Sequence, residues 1–189
     1  MFKKQTDNRV AVFFADGCEE IEGLTVVDLL FRAGIPCDMV SVSDSYQVTS
    51  SHEVTFLCNK LISEVDINAY AMLVLPGGIP GTPNLAATDT LMQAVDSFAA
   101  QGKPLAAICA APSIYAERGL LSGVRATANP GFQHVLVEKG ALLSKDPVVV
   151  DGPFITSQGA GTAVAFGLEI VRHFLGDAAV LRVRDGIAL

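Results

Sequence analysis

Short apolar runs that alternate with helical stretches constrain this chain more than any other feature. Residues 9–15, 72–75 and 104–108 are apolar segments of strand length, too short for helices and bounded by turn residues, and 37–42 reads as a further strand. Between them, 19–33 carries Ile21, Leu24, Val27, Leu30 and Phe31 at helical spacing with Gly34 as its stop, and 85–101 is a second helix that ends at Gly102. This rhythm predicts an α/β fold built on a mostly parallel, doubly wound sheet with helices on both faces. In such sheets ligands bind beyond the carboxyl ends of the strands. The loops expected at that edge are 16–22, 77–81, 109–112, 129–131 and 159–162, which hold acids, glycine-rich turns and a thiol.

The remaining segments fit around this frame. Residues 46–50 and 54–58 alternate in polarity like a hairpin, and 148–150 with 154–157 form another that turns at Asp151-Gly152. A short strand over 125–128 ends at Asn129-Pro130-Gly131, and 132–139 is helical. Residues 159–162 lead into a long helix to about Leu175, with a last short helix from about Ala178. A length of 189 residues predicts one domain over 1–189. With half the residues hydrophobic and 17% charged, the composition excludes disorder. A net charge of −7 offers no footprint for nucleic acid. There is no apolar run of the ~20 residues that a membrane span needs, and no signal-like segment, so a cytoplasmic protein is expected. Cys18, Cys37, Cys58 and Cys109 show no metal spacing and read as free thiols, and the scattered His52, His134 and His173 predict no metal.

Cys109 follows the apolar run 104–108, and the composition turns helical from Ala111, with Pro112 tolerated in a first turn. A strand that turns sharply into a helix is where esterase-type elbows present their nucleophile. Backbone amides and the helix dipole at that place favour thiolate, the reactive form. The plainer alternative is a small core residue.

The glycine turns do not read as phosphate sites: neither 76–81 nor the stretch from Gly159 is G-x-G-x-x-G, and there is no G-K-[ST], so no cofactor is expected. Gly77-Gly78 is either a plain tight turn or a place of close backbone approach, where an amide near Cys109 would join that of Ala110 in an oxyanion hole. Glu19 and Glu20 complement the dipole of the helix they open. Glu22 is placed to face the site edge. Ionised, it would raise the thiol pKa; protonated and donating, it would stabilise thiolate. Both states are open from sequence.

Four motifs, Ala107-Ile-Cys109-Ala-Ala-Pro112, Leu75-Pro-Gly-Gly78, Gly17-Cys-Glu-Glu-Ile-Glu22 and Thr156-Ser-Gln-Gly-Ala-Gly-Thr162, resemble the ThiJ/PfpI superfamily in order and spacing, within it the branch of the parkinsonism-associated deglycase and its bacterial relatives. The resemblance implies a flavodoxin-like sandwich and a homodimer. It places the nucleophile on Cys109, its glutamate partner on Glu22, and oxyanion amides on Gly78 and Ala110. Gly77 and Asn129 fall in the pocket, and Arg32 matches an arginine near the dimer-side wall. One departure stands out: glyoxalase members carry a histidine twenty residues after the cysteine, and here that position is Asn129, which cannot carry a proton at neutral pH. His52 also stands where a family member has arginine.

These readings lead to a cysteine-dependent glyoxalase or deglycase-like enzyme acting on 2-oxoaldehydes such as methylglyoxal, weakened by Asn129. The competing expectation is a non-enzymatic oxidative-stress sensor or chaperone that uses oxidation of Cys109. The expected partners are a small aldehyde substrate and a second copy of the chain, with no nucleic acid and no membrane.

Overall fold

In β1 (Val10–Phe14) every residue is buried, and successive side chains serve opposite faces. Ala11 and Phe13 join one apolar layer, and Val10, Val12 and Phe14 the other. A strand of that kind belongs inside a sheet covered on both sides. The computed structural model, which describes residues 2–189, places it there. Seven strands form the main sheet in the order β10 (Val148–Asp151), β11 (Phe154–Ser157), β7 (Leu105–Ile108), β6 (Met72–Leu75), β1, β2 (Cys37–Ser41) and β5 (Lys60–Leu61). All neighbours run parallel except the β10–β11 hairpin. The hairpin β3 (Gln47–Thr49) and β4 (Thr55–Leu57) and the parallel pair β8 (Arg125–Ala126) and β9 (Leu142–Leu143) stand outside it.

Helices α1 (Glu20–Ala33) and α6 (Ala163–Gly186) cover one face with Val26, Leu29, Leu30, Phe166 and Ile170. The other face is covered by α2 (Gly81–Ala86), α3 (Asp89–Ala100), α4 (Pro112–Glu117) and α5 (Gln133–Glu138), through Leu85, Val95, Phe98, Tyr115 and Leu136. The result is the flavodoxin-like architecture expected from the strand–helix rhythm. A fully buried Phe, such as Phe98, contributes about 1.5–3 kcal/mol by burial.

Two helices differ from expectation. The single helix over 85–101 is divided, because Thr88 is extended between α2 and α3. Leu85 and Leu91 are both fully buried in the same layer, yet six residues on one continuous helix would set them about 120° apart; the break lets both turn inward. The long helix and the short one expected after it are joined as α6, with a non-helical backbone at Gly176 marking the division. The strand expected over 125–128 is shorter and pairs with β9, and the structure adds the strands β5 and β9, whose two residues each are too few to set up a strand pattern in the sequence.

Candidate active site

Because β1, β6, β7 and β11 are parallel neighbours, their carboxyl ends share one edge. The chain leaves β7 at Cys109, whose φ of +66° lies in the left-handed region that non-glycine residues rarely adopt. Such strain persists only where the surroundings enforce it. Here the Cys109 amide donates to the Ser157 carbonyl at 3.0 Å, and the Cys109 carbonyl accepts from the Asn129 amide at 2.8 Å. Two bonds fix α4 behind it: Ser113 Oγ donates to the Ala110 carbonyl at 2.7 Å, and the buried Tyr115 hydroxyl donates to the Ala106 carbonyl of β7 at 3.1 Å. The elbow read from the sequence is present, with a half-buried sulfur at its tip.

Glu22 is 1% exposed. Its Oε2 accepts from the Gly77 amide at 2.8 Å. Its Oε1 is buried without a donor, on the side of the carboxyl where the Cys109 sulfur lies. The glycines are required by packing. A β-carbon on Gly77 would lie 2.6 Å from Cys109 Cβ and 2.7 Å from Glu22 Oε2, and one on Gly78 would lie 2.3 Å from the Glu19 nitrogen. Gly78 also has φ +94°. The amides of Gly78 and Ala110 both favour the Cys109 thiolate.

The carboxyl and the thiol are coupled through burial and charge. Burial pushes the Glu22 carboxyl up to about 7, against the pull of the Gly77 amide and the Cys109 thiol. Burial, followed by the Glu22 charge, pushes the Cys109 thiol up to about 12, while the Ala110 and Gly78 amides pull it down. The expectation that the elbow by itself makes the thiol acidic is therefore corrected. The amides are in place, but burial outweighs them, and α4 has only six residues to supply a dipole. Carboxyl and thiol titrate as a pair. The first proton leaves near neutrality, and thiolate is disfavoured beside an ionised Glu22 by their like charges.

Asn129 reaches the same place. Its Oδ1 accepts from the Gly131 amide at 3.0 Å. A β-carbon at Gly159 would sit 3.5 Å from Asn129 Nδ2, 3.7 Å from Glu22 Oε1 and 3.9 Å from Cys109 Sγ, so all three groups surround one point. Gly159 was not singled out as a site residue in the sequence, although its position in the loop after β11 was the available signal. Cys109, Glu22, Gly77, Gly78, Ala110 and Asn129 thus come together.

Arg32 does not join them within this chain. It stands in the last turn of α1, ten residues or about 15 Å beyond Glu22 along the helix. There it bonds Asp28 and the Gly186 carbonyl and lines a separate cleft of about 470 Å³ with Lys3 and Arg182. Those cations sit at the C-terminal ends of α1 and α6, where they complement the helix dipoles. His52, to which the sequence assigned no chemistry, pairs with Glu20 at 3.2 Å and Glu19 at 3.5 Å, and the two carboxylates raise its pKa. These three are the one group among the described residues whose potential ligand atoms converge, within 4.8 Å, and the His ring is already paired with both carboxylates. Among the described residues no helix is long and apolar enough to cross a membrane.

Comparison with known proteins matches residues 8–173 to the DJ-1/PfpI family. The chain is 36% identical to protein DJ-1 homolog B of Arabidopsis thaliana over 89% of its own length, and it spans only 38% of that relative. It is 31% identical to the glutathione-independent glyoxalase DJ-1 of Schizosaccharomyces pombe over 87% of the chain and 90% of the relative. Its fold superposes on the oxidized Toxoplasma gondii DJ-1 with a TM-score of 0.90 at 31% identity, covering 96% of this chain and 98% of that one.

Proposed function

Since the chain belongs to the DJ-1/PfpI family, we propose that it converts 2-oxoaldehydes such as methylglyoxal into 2-hydroxy acids, with Cys109 as nucleophile. The observation that carries this reading is the buried Glu22 oxygen without a donor, which shares one point of the site with the Cys109 sulfur, whose thiolate the Gly78 and Ala110 amides favour. Thiolate adds to the aldehyde carbon. The carbonyl π-electrons move to oxygen, where the Gly78 and Ala110 amides receive the charge and Glu22 supplies the proton. The product is a hemithioacetal. Glu22, now ionised, takes the proton from the sulfur-bearing carbon and returns it to the neighbouring carbon, while the hemithioacetal hydroxyl gives up its proton and the ketone oxygen gains one, becoming the new hydroxyl. One carbon is oxidised and the other reduced within the same molecule, leaving a thioester. Water cleaves the thioester to the hydroxy acid and restores the thiol. A carboxyl with a pKa near 7 is matched to giving and taking protons at neutral pH. The S. pombe relative, named a glyoxalase, supports the same substrate class.

A second reading rests on Asn129. Without a titratable group there, the site is less equipped to move protons than to hold an oxidised Cys109 among the Gly78 and Ala110 amides. On this reading the chain is an oxidative-stress sensor or chaperone. A homodimer in the cytoplasm is proposed with either reading. Purified protein incubated with methylglyoxal, with lactate measured by chiral chromatography, separates the two. Lactate formation that disappears in Cys109→Ser supports the enzyme. Peroxide oxidation of Cys109 with no lactate above the Cys109→Ser background overturns it in favour of the sensor.

A further inference from the structure

The Asn129 side chain is oriented by the turn that follows it. Gly131 N–H is a donor, so the atom facing it at 3.0 Å is the amide oxygen. This leaves the NH2 group pointing the other way, toward the point shared by Glu22 Oε1 and Cys109 Sγ. Nδ2 has no acceptor among the described residues, while the Asn129 backbone is itself tied to the Cys109 carbonyl at 2.8 Å. The donor is therefore held in place and idle. Beside it, Glu22 Oε1 is a second unpartnered polar atom, on a residue only 1% exposed.

We propose that Asn129 Nδ2 binds the second carbonyl oxygen of a vicinal dicarbonyl, so that this pocket selects 2-oxoaldehydes over simple aldehydes. The inference rests on the reading of Cys109 as an aldehyde-binding nucleophile and deepens it. Once the thiolate has added to the aldehyde carbon, its oxygen lies with the Gly78 and Ala110 amides, and the adjacent ketone oxygen needs a donor of its own. The Asn129 NH2 supplies one that stays a donor at every working pH, unlike an imidazole. Its hydrogen bond also polarises the ketone, which acidifies the C–H that Glu22 must remove. No atom or electron is exchanged with Asn129: it orients and polarises only. A monocarbonyl aldehyde of the same length fills the aldehyde position but leaves this donor unused.

The test measures reversible adduct formation rather than turnover. Protection of Cys109 from iodoacetamide, mapped by peptide mass spectrometry, gives an apparent Kd for methylglyoxal and for propanal. The ratio of the two, divided by the same ratio for N-acetylcysteine, isolates the protein's own preference. Asn129→Ala is expected to cut that preference about 3- to 10-fold, the size of one hydrogen bond. Asn129→Asp keeps an oxygen for Gly131 N–H and the shape of the turn but replaces the donor by a charge; that charge weakens the adducts of both aldehydes, a loss common to both that cancels in the ratio, and the preference is expected to fall further. A preference unchanged in both variants overturns the assignment of Asn129 and leaves the nucleophile reading standing. Protection by neither aldehyde in the wild-type protein overturns the nucleophile reading and this inference with it.

Discussion

Glu22→Ala separates the two protonation states of Glu22 by the sign of one shift. Oε2 already accepts from Gly77 N–H, so a proton on the carboxyl belongs on Oε1, the oxygen that is buried without a donor on the side where the Cys109 sulfur lies. In that arrangement Glu22 donates to the thiolate. A hydrogen bond to a charged group is worth about 1.5–3 kcal/mol. At 1.36 kcal/mol per pKa unit, its loss in Glu22→Ala should raise the thiol pKa by about 1–2 units. Glu22→Gln keeps an N–H donor of similar reach and should leave the thiol within about half a unit of wild type, taking half a unit as about 0.7 kcal/mol. An ionised Glu22 predicts the reverse. Removing a unit charge ~4 Å away at an effective dielectric of ~20 removes about 4 kcal/mol of repulsion, and both variants would then lower the thiol pKa by about 3 units. The assay is thiolate absorbance against pH with Cys18, Cys37 and Cys58 replaced by Ser. A fall in thiol pKa on Glu22→Ala would refute the donor arrangement, and with it the claim that thiolate here depends on a neighbouring carboxyl that keeps its proton.

Two further outcomes follow from the same site. Glu22 has its folded pKa raised from 4.5 to about 7, so the stability it contributes is fully present below about 4.5 and is lost as pH rises to about 7. The 2.5-unit difference corresponds to up to about 3 kcal/mol. Thermal melts should therefore show Glu22→Gln more stable than wild type at pH 8 and equal to it at pH 4; equal melting temperatures at both would deny that Glu22 is buried at such cost. Asn129→His restores a proton carrier at the family's position and should raise methylglyoxal turnover by about 10-fold or more, part of the ~10²–10⁴-fold typical of general acid–base catalysis. Unchanged or lower kcat in steady-state assays would show that Glu22 needs no help in moving the proton.

Much of this molecule is written in local pattern. The apolar runs at 9–15, 72–75 and 104–108 correspond to β1, β6 and β7 because a strand buried on both faces is apolar throughout, and Gly34 ends α1 because its cap is left-handed. Cys109 at a strand–helix junction was legible for the same reason: the junction is a contiguous stretch of sequence. What tertiary structure decided is everything that depends on distance across the chain. Residues 22, 77, 109, 129 and 159 converge only because parallel strands bring their carboxyl ends to one edge. The split of the 85–101 helix follows from the layer that Leu85 and Leu91 both enter. Arg32 and Glu22 share a helix in sequence but stand at its opposite ends. The acidity of the thiol was the clearest case: amides and a junction are local, whereas burial and the Glu22 charge come from the packed whole, and desolvation there outweighs what the backbone offers.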